Sequence, residues 1–245
     1  MTSLMSMLLA RPFRVVDLTM PLNPATPSPV EPGVEQRVLR RHGDPAPEGA
    51  PQYKMTWFGM NDHCGTHMDA PSHFIPDGPG IDRADIEAFC LMPAIRLDLA
   101  PGSLFQRIDA SDILAALDAM NARLKAKGEE SLGMPPKQSL ILLHTGHDRH
   151  VGFPEYGQAP FLTPRACRLL KELDARAVGV NGPTVDDRRD AERPAHTLLL
   201  SQGVAIIEGV VKTGDLPDGL FLASALPLKL TGATGSPVRL VALIA

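Results

Sequence analysis

Within the segment His63-Cys-Gly-Thr-His67-Met-Asp69-Ala-Pro-Ser-His73 the chain gathers three of its eight histidines and one carboxylate. All four groups fall at odd positions. An extended backbone, which Gly65 and Pro71 favour over helix, would turn them toward one face. The other residues on that face are Gly65 and Pro71, neither bulky enough to block an ion. Two imidazoles and a carboxylate suit Zn, Mn or Fe(II) and do not by themselves choose among them. A single loop histidine is usually a surface group. Four ligand-type side chains on one face would repel or stay unsatisfied without a cation, so the pattern points to a metal centre.

A second candidate lies in His196-Thr-Leu-Leu-Leu-Ser-Gln-Gly-Val-Ala-Ile-Ile-Glu208-Gly, where Glu208 interrupts the apolar run Val204–Val211. Burying an ionised carboxylate costs several kcal/mol unless a partner compensates it, and a cation is a natural compensator. The competing reading is an edge strand with Glu208 facing water and His196 capping a helix. Other groups carry less. His144, His147 and His150 stand three apart, but Thr145-Gly146 argues against the helix that would align them, and His147 is instead a candidate for the pocket mouth. Cys64 falls at an even position, away from the metal face, and reads as buried packing rather than a nucleophile. No GxSxG elbow supports a serine triad.

The elements that must position these groups are short. Strands are expected at Arg14–Leu18, Glu35–Arg40, Lys54–Phe58, Ala94–Leu99, Ser139–His144, Ala177–Asn181, Val204–Val211, Pro227–Leu230 and Val238–Ile244, with 24 prolines scattered as rigid turns between them. Helices are expected at Ser111–Leu124, with Ile113, Leu114, Leu117 and Leu124 on one face, at Pro164–Leu173 behind a Thr163 N-cap, and at Ala195–Ser201, closed by Gly203. Alternating strands and helices indicate an α/β fold, although the strand-rich first hundred residues fit a simple doubly wound sheet poorly. The Pro/Gly-rich stretches Gly43–Pro51 and Gly128–Pro136 read as surface loops inside one domain spanning residues 1–245.

Bulk properties narrow the partners. A net charge of -4 and a pI of about 6.0 offer no basic stripe for nucleic acid. Cys64, Cys90 and Cys167 are odd in number and lack CxxC spacing, so neither a disulfide framework nor a zinc ribbon is indicated and a cytoplasmic location fits. The apolar run Leu4–Ala10 is short, lacks a preceding basic residue and meets Arg11-Pro12, so it reads as neither signal peptide nor membrane span.

The motif HxGTHxDxPxH, matched at every fixed position from His63 to His73, resembles the marker of a cyclase family that includes bacterial kynurenine formamidases and isatin hydrolases. The resemblance extends to Thr145-Gly146, to Ala177-Val-Gly-Val-Asn-Gly-Pro-Thr-Val-Asp186, to the His196/Glu208 pair and to Leu230-Thr-Gly-Ala-Thr-Gly-Ser-Pro-Val-Arg239. It implies a single-domain swivelling β/β/α fold and a homodimer or homotetramer. It also implies His63, His67, Asp69 and Glu208 as metal ligands. In the formamidase branch Asp69 and Glu208 bridge to a second ion held by His196; in the isatin hydrolase branch one manganese suffices. The expected cofactor is therefore one or two Zn or Mn ions per chain. His73 would move the proton, with Glu208 the next candidate for base, while Pro71, Asp186 and Arg239 would support the site. The formamidases carry a Trp in an early Thr-Pro-x-Trp-Pro-Gly stretch, where this chain has Ala25-Thr-Pro-Ser-Pro-Val-Glu-Pro-Gly33. Its sole Trp, Trp57, stands beside Phe58 before His63, in a longer segment closer to isatin hydrolases, where the pair would line either the pocket or the core.

The activity this implies is metal-assisted hydrolysis of an amide C–N bond in a small cyclic amide or N-formyl aromatic compound. The ion lowers the pKa of bound water from about 15.7 toward roughly 7, and His73, with an ordinary pKa near 6.5, takes and returns the proton. A lactonase, or a cyclase or dehydratase of polyketide-like carbonyl compounds, would use the same residues. A non-catalytic oligomeric binding protein with a structural ion is the third reading.

Overall fold

The computed structural model describes residues 13–100 and 102–244; the apolar run Leu4–Ala10 lies outside them. Within them twelve strands occur in the order β1 Arg14–Asp17, β2 Glu35–Arg40, β3 Met55–Gly59, β4 His67–Asp69, β5 Met92–Asp98, β6 Arg107–Ile108, β7 Leu140–His144, β8 Phe161–Leu162, β9 Ala177–Val180, β10 Ala205–Glu208, β11 Leu220–Pro227 and β12 Gly235–Ile244. Among the described residues three helices accompany them: α1 Ala110–Ala126, α2 Pro164–Glu172 and α3 Pro194–Ser201.

The main sheet runs β1-β12-β11-β5-β7-β9-β10-β4, and an added pairing of β4 with β12 closes it into a barrel-like ring with β1 outside. β12 makes this closure possible by its length. Gly235–Pro237 pair with β4, Val241–Ile244 pair with β1, and Val238–Leu243 pair with β11 on the other edge. β5, β7, β9 and β10 are parallel, and α1, α2 and α3 pack on the outside, giving a mixed α/β fold.

Alternation along the strands divides the apolar residues into two cores. Ile95, Leu97, Ile141, Leu143, Val178 and Ile206 face outward beneath the helices. Ala94, Leu140, Leu142, Ala177, Ile207 and Ala223 fill the ring interior, where small and large side chains together pack the space. Each fully buried Leu or Ile contributes roughly 1.5–3 kcal/mol. Helix α1 starts in a capping box between Asp109 and Asp112, and Thr163 accepts the Ala166 N–H to cap α2 behind Pro164. Among the described residues no helix is long and apolar enough to cross a membrane.

Three expectations need correction. The strand expected at Pro227–Leu230 instead ends at Pro227, because the apolar alternation belongs to Leu220–Leu226 and β12 pairs with it only as far as Val238. The strand expected over Val204–Val211 stops at Glu208, since Gly209 takes a positive φ of 65°. On α1, Leu114 is exposed, and Met120 takes its place in the buried face with Ile113, Leu117 and Leu124.

Candidate metal centre

β4 lies between β10 and β12, and register builds the site. His67 stands opposite Glu208, and Asp69 stands opposite Ile206 on one side and Gly235 on the other. Met68 points into the ring interior. The period of two therefore turns His67 and Asp69 to the opposite, outer face, where the cross-strand neighbour Glu208 joins them.

The motif is not extended throughout. The chain turns before β4, with Gly65 at φ 64°, and enters a 3-10 turn, Pro71–His73, after it. His63 is thus brought back onto the face by a turn rather than by alternation. A Cβ at Gly65 would press against Leu22 and Thr26 at 2.9 and 3.1 Å, and one at Gly235 would stand 2.6 Å from the His63 ring. Neither position can carry a side chain while this turn and ring stay in place. His63 is fixed by Thr234, whose hydroxyl lies 2.9 Å from Nε2 and donates to Asp62. His73 stacks on the His63 ring with centroids 3.9 Å apart.

The remaining groups arrive from Glu208 on β10 and His196 on α3. His63 Nδ1 is 2.9 Å from Asp69 Oδ1, and His67 Nε2 is 3.4 Å from the same oxygen and 3.5 Å from Glu208 Oε2. His196 Nε2 is 3.4 Å from Asp69 Oδ2 and 3.2 Å from Glu208 Oε1. Each carboxylate thus presents one oxygen to the His67 side and its other oxygen to His196. Glu208 is only 3% exposed and His196 is buried, which overturns the edge-strand reading.

These donors fit a divalent ion. Ligand atoms bound to one ion at about 2.1 Å sit about 3.0–3.5 Å apart, the spacing seen here. Asp69 Oδ2 is sealed from solvent without a well-formed hydrogen bond, the kind of orphan acceptor a cation satisfies. The metal-free electrostatics agree. Burial opposes protonation of His67, but Asp69 and Glu208 outweigh it and hold its pKa up at about 9. His196 is likewise opposed by burial and raised well above its ordinary value by Glu208, Asp186 and Asp69. Burial would raise Asp69, yet His196, His63 and His67 hold it well below the usual carboxylate range. His73 behaves differently: burial, aided by the neighbouring imidazoles and opposed by Asp69, pushes it down to about 4.

The site opens into a cleft of about 350 Å³ whose walls include Pro27, Val30, Phe74 and Tyr156. Of the groups singled out in the sequence, His63, His67, Asp69, His73, His196 and Glu208 converge here. Asp186 stands behind His196. Arg239 does not take part; it forms an exposed pair with Asp17. Trp57 and Phe58 line neither cleft nor core: Phe58 is 57% exposed on the β2–β3 hairpin, and Trp57 lies beneath the Arg37 guanidinium. His147 is buried behind Tyr156 rather than at the mouth, stacked on that ring and bonded to its carbonyl, and Gly146 in the left-handed conformation breaks any helix through His144. Cys64 is buried as expected. Asp62 and Tyr156 carried no sequence signal, and Thr234 carried only its place in the Leu230–Arg239 stretch, since their roles depend on contacts between segments distant in the chain.

Residues 16–187 match the family described as Putative cyclase. Over 182 residues, 74% of this chain and 76% of the relative, the sequence is 34% identical to a kynurenine formamidase of Bacillus cereus. A kynurenine formamidase of Bacillus mycoides is 33% identical over the same coverage. Among solved structures, isatin hydrolase A from Labrenzia aggregata bound to benzyl benzoate superposes with a TM-score of 0.78 at 27% identity, covering 95% of this chain and 94% of that one. An isatin hydrolase bound to the product analogue thioisatinate shares the fold with a TM-score of 0.80 at 23% identity, covering 98% and 96%.

Proposed function

The chain belongs to the cyclase family and is a metal-dependent hydrolase of non-peptide C–N bonds; within that class we propose that it opens the amide bond of a small N-formyl aromatic compound or cyclic amide. The observation that carries this reading is the division of Asp69 and Glu208 between two sets of imidazoles at ligand spacing. His63, His67, Asp69 and Glu208 would hold one Zn or Mn ion, and His196 with the second oxygens of both carboxylates would hold another. An ion there supplies Lewis acidity toward a carbonyl oxygen and acidifies water.

The protein's own groups supply the rest. His73 lines the cleft and is unprotonated at physiological pH, so its ring is free to take a proton from the attacking water; burial, which pushes its pKa down to about 4, weakens it as an acceptor and makes its protonated form a strong donor. It then returns that proton to the departing nitrogen as the C–N bond breaks, leaving a carboxylic acid and an amine. Glu208 Oε1 already accepts the Val185 N–H at 2.8 Å, which suits it to a fixed ligand; it takes the base role only if His73 proves to be a ligand. The open cleft beside the ligand set supports catalysis over the binding-protein reading, because a closed structural site needs no substrate access.

The homodimer or homotetramer belongs to the same proposal. The β2–β3 hairpin leaves Val38, Leu39, Met55 and Phe58 exposed, and a lone two-stranded hairpin is marginal in water, so a second copy covering it would stabilise both. The cytoplasmic location is supported by three unpaired thiols. The direct test is metal analysis of protein purified without chelator, followed by assays with N-formylkynurenine, isatin, cyclic imides and lactones. Full activity of metal-free protein would refute the reading, and turnover of lactones alone would redirect it to a lactonase.

A further inference from the structure

The loop from Asp186 to Arg193, between β9 and α3, forms one rim of the cleft, and most of its charged groups are engaged within the protein. The Asp186 carboxylate accepts from the Ala195 and His196 N–H groups and from the His196 ring. Asp187 takes both arms of Arg189 at 2.8 and 2.7 Å, and that guanidinium also lies 4.0 Å over the Phe105 ring. Asp190 accepts the Glu192 N–H. Arg193 donates to the carbonyls of Asp187 and Arg188 at 3.2 and 3.4 Å, folding the loop back on itself. It does so from a left-handed backbone, φ 47° and ψ 54°, a conformation that costs a non-glycine residue about 1–2 kcal/mol.

The side chains of Glu192 and Arg188 are the exceptions, and of the two only that of Arg188 lines the cleft. Among the described residues its guanidinium has neither an ion pair nor a hydrogen bond, although it lines the same cleft as His63, His73 and His196. It reaches across the 3-10 turn Pro154–Gln158, where a Cβ on Gly157 would stand 2.8 Å from Nη1. In this position the guanidinium occupies the space a side chain at Gly157 would take. The acidic groups deeper in the cleft do not neutralise it: Asp69 and Glu208 face imidazoles, and Asp62 accepts from Thr234 and Gly235. A positive charge at the exposed rim of a cleft whose walls mix Pro27, Pro29, Pro183 and Phe74 with polar groups, with its planar donors unused, suits a carboxylate, which a guanidinium binds through two parallel bonds.

We propose that Arg188 selects substrates carrying a carboxylate on the part of the molecule remote from the scissile amide, so that the amide hydrolysed is an anion rather than a neutral lactam. Arg193 is a positioning residue that shapes the loop presenting it. This inference rests on the hydrolase reading above.

The test compares formanilide with the ortho, meta and para N-formylaminobenzoates, which differ from it only by a carboxylate. The native enzyme should favour at least one carboxylated isomer, through KM rather than kcat. Arg188→Gln should lower the ratio of kcat/KM for that isomer over formanilide by roughly 10–100-fold, the usual worth of a charge-assisted hydrogen bond. Arg188→Lys, which keeps the charge without the fork, should recover part of the ratio. An unchanged ratio in Arg188→Gln, or no preference in the native enzyme, overturns the proposal. Calorimetric binding of the corresponding aminobenzoate, which needs no turnover, separates the two readings. If no formamide is hydrolysed the hydrolase reading fails, and equal aminobenzoate affinity in native protein and Arg188→Gln then also overturns the role of Arg188.

Discussion

Asp186 Oδ2 lies 2.6 Å from His196 Nδ1, while the same carboxylate accepts the backbone N–H groups of Ala195 at 2.7 Å and His196 at 3.0 Å. One buried side chain thus caps the first turn of α3 and fixes the ring that α3 carries, leaving His196 Nε2 aimed at Asp69 and Glu208. A carboxylate behind a ligating imidazole sets its tautomer and raises its basicity. Asp186→Asn should weaken binding of the ion held by His196 by about 10–100-fold, read by metal titration, while circular dichroism shows α3 and the fold retained. Undiminished affinity would mean that His196 holds no ion.

His73 is the test of the division between binding and proton transfer. It stacks on His63, lines the cleft and is held neutral by burial. His73→Ala should keep near-native metal content and KM, while kcat falls by about 10²–10⁴-fold, the range for a positioned acid-base group. Loss of the ion together with activity would make His73 a ligand and move the base role to Glu208.

What could be read from the sequence followed from local rules. The clustering of His63, His67, Asp69 and His73 within one segment is visible without coordinates, and the burial cost of Glu208 in an apolar strand is a statement about solvation alone. The register that sets His67 against Glu208 is not, because β4 and β10 are far apart in sequence and β4 is only three residues long. Closure of the sheet was equally hidden, depending on β12 serving three partners. The convergence of His63 was anticipated for the wrong reason, since alternation predicted what the Gly65 turn achieves. Trp57 and Phe58 show the opposite failure: their apolarity suggested pocket or core, yet they stand on an exposed arm whose position no local pattern encodes.

Asp218 ties α1 to the barrel and makes stability depend on acid. Arg123 donates to it through Nε and Nη2, Lys127 lies at 3.3 Å and Arg96 at 3.5 Å. The Arg123 bond, opposed by partial burial and helped by Lys127, lowers its carboxyl below the ordinary range. A depressed folded-state pKa contributes stability that is present above the unfolded value, near 3.9, and is lost as pH falls through the folded one. Asp218→Asn should cost about 1–3 kcal/mol at pH 7, lowering Tm by several degrees. The gap between native and variant should close in acid melts below about pH 4; a gap independent of pH would show that packing, not charge, holds α1.

Removing the ion should reverse the pH dependence of the site. In metal-free protein His67, held up to about 9, and His196, raised well above its ordinary value, carry protons at pH 7 and neutralise Asp69 and Glu208. An imidazole whose folded pKa exceeds its unfolded one stabilises the protein fully below the unfolded value and loses that contribution as pH rises through the folded value. Metal-free protein should therefore lose Tm between about pH 6.5 and 9. An ion needs these same imidazoles neutral, so its affinity should rise over that interval by about one decade per pH unit for each proton displaced. The loaded protein should hold its Tm, and the gap between the two forms should widen with pH. Calorimetric titration at pH 7 in buffers of unlike ionisation enthalpy measures the protons released directly. Release of none would place the ion on groups other than His67 and His196 and refute this ligand set.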